Sequence, residues 1–298
     1  MKRTEAILVA LFVPALLPAP AAASPVIVYY CHDIEGAILG TAGHDKLVGT
    51  TGDDVIAGRG GDDVIFGLGG NDWICGGRGA DEVFGGAGSD RIEGGRGDDA
   101  LHGQSGRDQL GGGDGDDTVE LGPGGNSLGD GGDGHDLVVG GEGGDYLSGD
   151  PGNDVIRGLE GRDILHGGTG DDTMRGGVGR DMVSYEGQGA GIYLDLRAGT
   201  ATSADGDDTF TLVRDVFGSD APDVIYGDGQ ANRVFGSTGQ DKILGRDGDD
   251  RLRGGWDGDE LFGGDGDDVA RGGRGADVCA SETMYRCELE PASDEATP

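Results

Sequence analysis

Aspartate recurs at nine-residue intervals through most of this 298-residue chain. It stands at Asp45, Asp54, Asp63, Asp72, Asp81, Asp90, Asp99, Asp108 and Asp117, with Asn126 in the tenth place. One extra residue near Asp130 shifts the frame, which resumes at Asp136, Asp145, Asp154, Asp163, Asp172 and Asp181. After a gap it returns at Asp223, Asn232, Asp241, Asp250, Asp259, Asp268 and Asp277. If two nine-residue units make one coil, acids eighteen residues apart lie one above another at the strand spacing of roughly 4.8 Å. Two ionised carboxylates at that distance repel by roughly 3.5 kcal/mol at an effective dielectric of 20. Summed over a stack, that exceeds the 5–15 kcal/mol stability of a typical domain. A cation between coils reverses the sign. Oxygen-only ligands on flexible turns suit Ca²⁺, which accepts six or more oxygens at about 2.3–2.6 Å, better than the strictly octahedral Mg²⁺. The turns are poor in His and Cys, which disfavours transition metals.

The rest of each unit is what such acids need. Gly76 to Phe84 and Gly85 to Glu93 read Gly-Gly-x-Gly-x-Asp-x-apolar-x. Three glycines in the first places permit positive φ and close backbone approach, so this part is a turn. The last three residues are extended, and alternation sends the eighth side chain inward. Those inward places hold Leu47, Ile56, Ile65, Ile74, Val83 and Ile92 early in the chain, Leu128 after Asn126, and Ile225 through Cys279 in the later block. A helix is excluded by the glycines, at about 1 kcal/mol each.

Composition agrees with this reading. Gly is 68 of 298 residues, and the formal net charge is −35 with only 5% aromatic residues. Without a period such a chain would not collapse; with one it reads as a repeat array. The acidity argues against nucleic acid and anionic lipid as partners.

The domain organisation follows. Residues 1–23 read as a secretory signal: Lys2 and Arg3, an apolar run from Ala6 to Leu17, and the small residues Ala21 to Ala23. Pro14 and Pro18 make that run too short to span a membrane comfortably. Residues 24–39, with the strand-like Pro25 to Cys31, are expected to cap the stack. Residues 40–183 are a first repeat block. Residues 184–222 depart from the unit, and their two alternating runs, Gly191 to Leu196 and Thr209 to Val213, suggest a wider coil. Residues 223–279 are a second block, and 280–298 an end cap with an acidic tail. Four cysteines in an exported chain imply two disulfides. Of the three pairings, Cys31–Cys75 and Cys279–Cys287, one near each end, is expected. Zinc is disfavoured, since the CxxC-like spacing is missing.

The nonapeptide resembles the RTX, or haemolysin-type, calcium-binding repeat. Gly76 to Phe84, Gly85 to Glu93, Gly131 to Val139, Gly140 to Ser148, Gly167 to Arg175 and Gly263 to Arg271 match it fully. The resemblance runs roughly from Gly40 to Cys279. It implies an all-β fold, a right-handed parallel β-roll with two nonapeptides per coil and small end caps. Multiple Ca²⁺ ions would be held by the sixth-place aspartates and turn carbonyls. The lytic and proteolytic activities of some members are not carried over, because the chain is filled by repeats.

Other readings are weaker. Asp205 to Asp208 and Asp265 to Asp268 hint at an EF-hand but lack its helices and twelfth-place Glu. No HExxH, nucleophile elbow or P-loop is present. His32, His44, His102, His135 and His166 are scattered and expected to be solvated. In pairs such as Asp53-Asp54, Asp62-Asp63 and Asp98-Asp99, the first acid is expected to be a solvated charge. The expected protein is secreted, non-enzymatic and dependent on calcium for folding. The alternative is an adhesin or polysaccharide-binding surface using outward residues such as Trp73 or Tyr193.

Overall fold

The computed structural model describes residues 36–285. The signal segment, the Pro25–Cys31 strand, Cys31, Cys287 and the acidic tail lie outside the described residues. Successive units go alternately to two sheets. Ile38–Leu39, Val55–Ala57, Trp73–Arg78 and Arg91–Arg96 begin a 14-stranded sheet. Lys46–Val48, Val64–Gly69, Glu82–Ala87 and Ala100–Ser105 begin a 15-stranded one. Pairing is parallel between coils, with Ile74 opposite Ile92 and Val83 opposite Leu101. The fold is a parallel β-solenoid. No helix among the described residues is long and apolar enough to cross a membrane.

The core is the space between the sheets, one aliphatic side chain thick from each. Ile56, Ile65, Ile74 and Val83 have no exposed surface. Burying such a side chain contributes about 1.5–3 kcal/mol. Nothing wider is available, because the strands are short and the turns close at once. Each coil also bonds the next through the backbone of its turns: the Asp63 carbonyl accepts from the Glu82 amide at 2.8 Å, and the Asp81 carbonyl from Ala100 at 2.8 Å.

The extra residue falls earlier than expected. Leu128 pairs with Gln109 and Gly129 with Leu110, so the turn from Gly122 to Asn126 carries the insertion. Ser127, not Asn126, takes the acid's place: its hydroxyl accepts from the Asp108 amide and its own amide donates to Asp145. The inward place then belongs to Gly129, and Leu128 turns outward at 42% exposure. Leu121, at a place normally held by glycine, is 1% exposed and fills the gap beside Gly129.

Between the two blocks the 15-stranded sheet makes an antiparallel meander of Tyr193–Asp195, Thr200–Thr202 and Asp207–Thr211. Its outer strands pair in parallel with Thr173–Gly179 and Val224–Tyr226. The other sheet has the single strand Asp215–Phe217 in this coil. Two additional strands add about 10 Å of width to one side. Ile192, Leu194 and Leu196 all point inward, at 3%, 0% and 8% exposure.

Candidate metal centres

The Asp90 turn illustrates the commonest geometry. Its Oδ1 accepts the amide of Asp72 in the preceding coil at 2.9 Å. Its Oδ2 is buried and has no hydrogen-bond partner. A Cβ on Gly85, the first residue of the turn, would sit 2.5 Å from that oxygen and 3.0 Å from the Gly103 carbonyl oxygen of the next coil. The missing side chain therefore leaves a hollow lined by a carboxylate and a carbonyl. The second residue, Gly86, has φ +117°. Carbonyls of the second and fourth places also aim at the following coil, since a Cβ on Gly77 or Gly79 would meet the oxygen of Arg59 or Gly61 at 2.5 Å.

Seventeen of the predicted aspartates share the unpartnered buried Oδ2: Asp63, Asp72, Asp81, Asp90, Asp99, Asp108, Asp117, Asp136, Asp154, Asp163, Asp172, Asp181, Asp241, Asp250, Asp259, Asp268 and Asp277. In every one of these turns the second residue has positive φ, between +65° and +137°. We call them open turns. Leaving a buried charged oxygen without a partner costs several kcal/mol unless something binds it. Burial accordingly pushes Asp81 up to about 6, Asp99 and Asp136 up to about 7, and Asp241 up to about 8.

The remaining four predicted aspartates are closed by their own turns. Asp45 Oδ2 accepts the Thr41 amide at 2.6 Å and its hydroxyl at 2.8 Å. Asp54 does the same with Thr50, at 2.6 and 2.9 Å. Asp145 accepts the Gly141 amide at 2.9 Å, and Asp223 the Ser219 amide at 2.8 Å. None of these four second residues has positive φ. Asn232 closes likewise, accepting the Asp228 amide at 3.0 Å. The Thr41 amide holds the Asp45 carboxyl below its ordinary value, opposite to Asp81, Asp99, Asp136 and Asp241.

Several participants escaped sequence reasoning. Asp208 continues the column after Asp172, whose amide it accepts at 3.0 Å, and takes the Tyr185 hydroxyl on its other oxygen at 2.9 Å. Gly206, Asp208 and Phe210 at the fourth, sixth and eighth places were the available signal. On the other flank Arg214 falls where the acid would be, and Arg180 forms a two-pronged pair with the fully buried Asp215 at 2.7 and 2.8 Å. At the C-terminal end Glu282 replaces the acid of a further coil, accepting the Asp268 amide at 3.1 Å. The fifth-place acids are not merely solvated. Asp62 Oδ1 accepts the Ala80 amide at 3.0 Å and Asp53 that of Asn71 at 2.7 Å, forming a second ladder outside the first. Nor are all the histidines solvated: His102 stacks on Phe84 at 4.8 Å and bonds Glu120 at 2.9 Å. Tyr193 is 50% exposed and tilted against Tyr226, whereas Arg91 lies over the Trp73 ring.

Among the described residues no three metal-ligating side chains converge. A cation here would complete its shell from carbonyls, and only a hard ion accepts such a set. The model of the RTX calcium-binding nonapeptide repeat matches residues 39–74, 75–110, 97–128, 130–165, 148–183, 215–243, 226–261 and 253–281. The chain belongs to this RTX repeat family. No curated protein matches it. The RTX matches leave out residues 184–214, where the meander replaces the nonapeptide. The open turns fit calcium on two observations of this structure, the orphaned carboxylate oxygens and the hollows at the first glycines.

Among the described cysteines none is a free thiol. Cys75 stands on the outward side of its strand beside Trp73, and Cys279 pairs with Leu261 on an inward place.

Proposed function

We propose that this chain is an exported, non-enzymatic calcium-binding roll that folds on meeting calcium outside the cell. The observation that carries this is the set of seventeen buried, unpartnered aspartate oxygens. Ca²⁺ supplies the positive charge these oxygens lack. The protein's part is to hold the ligands: the amide of one coil fixes Oδ1 of the next, so Oδ2 is presented to the hollow in a single orientation. The ligands are the sixth-place aspartates of the open turns with carbonyls of the first four places. Because the site is assembled only when coils stack, binding energy is folding energy. Export is supported by the pattern of residues 1–23, and the pairings Cys31–Cys75 and Cys279–Cys287 by the absence of free thiols among the described cysteines. Circular dichroism of the mature chain tests the proposal. Coil-like spectra in chelator that become β-rich on adding calcium are expected; a full β signal in excess chelator at pH 7.5 would sink it.

A further inference from the structure

The first coil departs from the repeat at one place in each turn. Gly40-Thr41-Ala42-Gly43-His44-Asp45 and Gly49-Thr50-Thr51-Gly52-Asp53-Asp54 keep the first and fourth glycines and the acid. Only the second residue is changed, to threonine. In the open turns that residue has positive φ and is Gly, Arg, Leu, Gln, Asp or Ser, never one branched at Cβ. A β-branched side chain is a poor occupant of that conformation. Thr41 and Thr50 do not adopt it. Their amides instead swing onto the carboxylate, and their hydroxyls join them. Each hydroxyl also accepts the amide of the fourth-place glycine, at 3.2 Å for Gly43 and 3.1 Å for Gly52. The acid's second oxygen, orphaned elsewhere, is here satisfied by its own turn.

We infer that Thr41 and Thr50 take the place of calcium in the first coil, so that this end of the stack closes without an ion. This rests on the calcium reading above. The physical reason is local. The hollow at Gly40 keeps the Asp45 carboxylate and the Gly58 carbonyl oxygen of the next coil, but the Thr41 amide and hydroxyl reach that carboxylate first. In the first coil one side chain per turn makes the choice: threonine does not take the positive φ of the open turns and closes the turn, whereas the unbranched Gly141 and Ser219 close where the stack is irregular, beside the insertion and the meander.

Counting bound calcium by native mass spectrometry of the mature, calcium-loaded protein tests this, with folding checked by circular dichroism. Thr41→Gly with Thr50→Gly restores the full motif in both turns and is expected to add up to two ions. Thr50→Val, which keeps the branch and loses only the hydroxyl, should leave the count unchanged. Arg59→Thr, which places a branched residue in an open turn, should remove one ion. The inference is overturned if the folded double glycine variant binds no more than the parent. An Arg59→Thr protein that keeps the parent's count overturns it as well, and does so even if the glycine variant fails to fold. A parent that binds no calcium at all defeats the calcium reading itself, an outcome distinct from either of these.

Discussion

Asp99 and Asp54 hold the same place in the same nine-residue unit, yet their surroundings are opposite. Asp99 presents a buried oxygen without a hydrogen-bond partner to the hollow of its turn and is pushed up to about 7. Asp54 has its oxygen taken by the Thr50 amide and hydroxyl. The contrast shows that the acid alone does not define a cation site. The backbone conformation of the second residue decides whether the carboxylate is available or already spent. The coil between the repeat blocks is closed in its own way: Ser219 closes on Asp223, and the Arg180–Asp215 pair supplies the positive charge from within the chain.

The largest expected effect that sharpens this comparison is loss of the blocks in chelator. Amide hydrogen exchange in calcium should show protection throughout residues 63–181 and 241–277, and chelation should abolish it there. Persisting protection across the open turns would remove the distinction.

Protons should substitute partly for calcium, and the sign follows from the direction of the shifts. Asp99 titrates at about 7 in the fold against 3.8 in the unfolded chain. Folding therefore favours proton uptake, and the calcium-free fold is least burdened below pH about 4 and loses stability as pH rises towards 7. An acid shifted this far costs about 4 kcal/mol when ionised. In chelator, β signal should be stronger at pH 5 than at pH 8. Asp45, held below its usual value, acts in the opposite sense: its contribution is present at neutral pH and fades on acidification. A calcium-free protein whose β signal rises with pH would contradict the open-turn assignment.

Arg180→Ala should cost about 3–5 kcal/mol, because it strands the buried Asp215 carboxylate. Urea unfolding in saturating calcium measures it, and added calcium should not restore the loss. Recovery at higher calcium would place an ion in that coil.

The smallest effects compare Asp to Asn changes. Asp99→Asn should remove one ion and raise the calcium midpoint of folding. Asp54→Asn should change that midpoint little, since a carbonyl oxygen still accepts from Thr50, as Asn232 does from Asp228. Equal responses in a calcium titration followed by circular dichroism would break the comparison.

Much of this was legible in the chain. The period placed the inward aliphatics, and Ile56, Ile74, Val83, Leu101 and Leu252 are buried as it requires. It placed the acids in vertical columns, joined amide to carboxylate from Asp63 to Asp172 on one flank. Where the period breaks, sequence was a poorer guide. Leu128 resembled a core residue because the insertion could be placed on either side of Asn126. Only pairing with Gln109 and Leu110 fixed the register and let Leu121 fill the vacant core space. The fate of residues 184–222 was likewise undetermined, since alternating runs serve parallel and antiparallel strands equally well.

The sequence by itself determined the coil length, the inward and outward sides and the column of carboxylates, because these follow from a spacing repeated many times. The tertiary structure alone decided which carboxylates are free to take an ion. That depends on whether a neighbouring amide, a hydroxyl or an arginine reaches the second oxygen first. Thr50 reaches Asp54, Arg180 reaches Asp215, and no donor reaches Asp99 Oδ2.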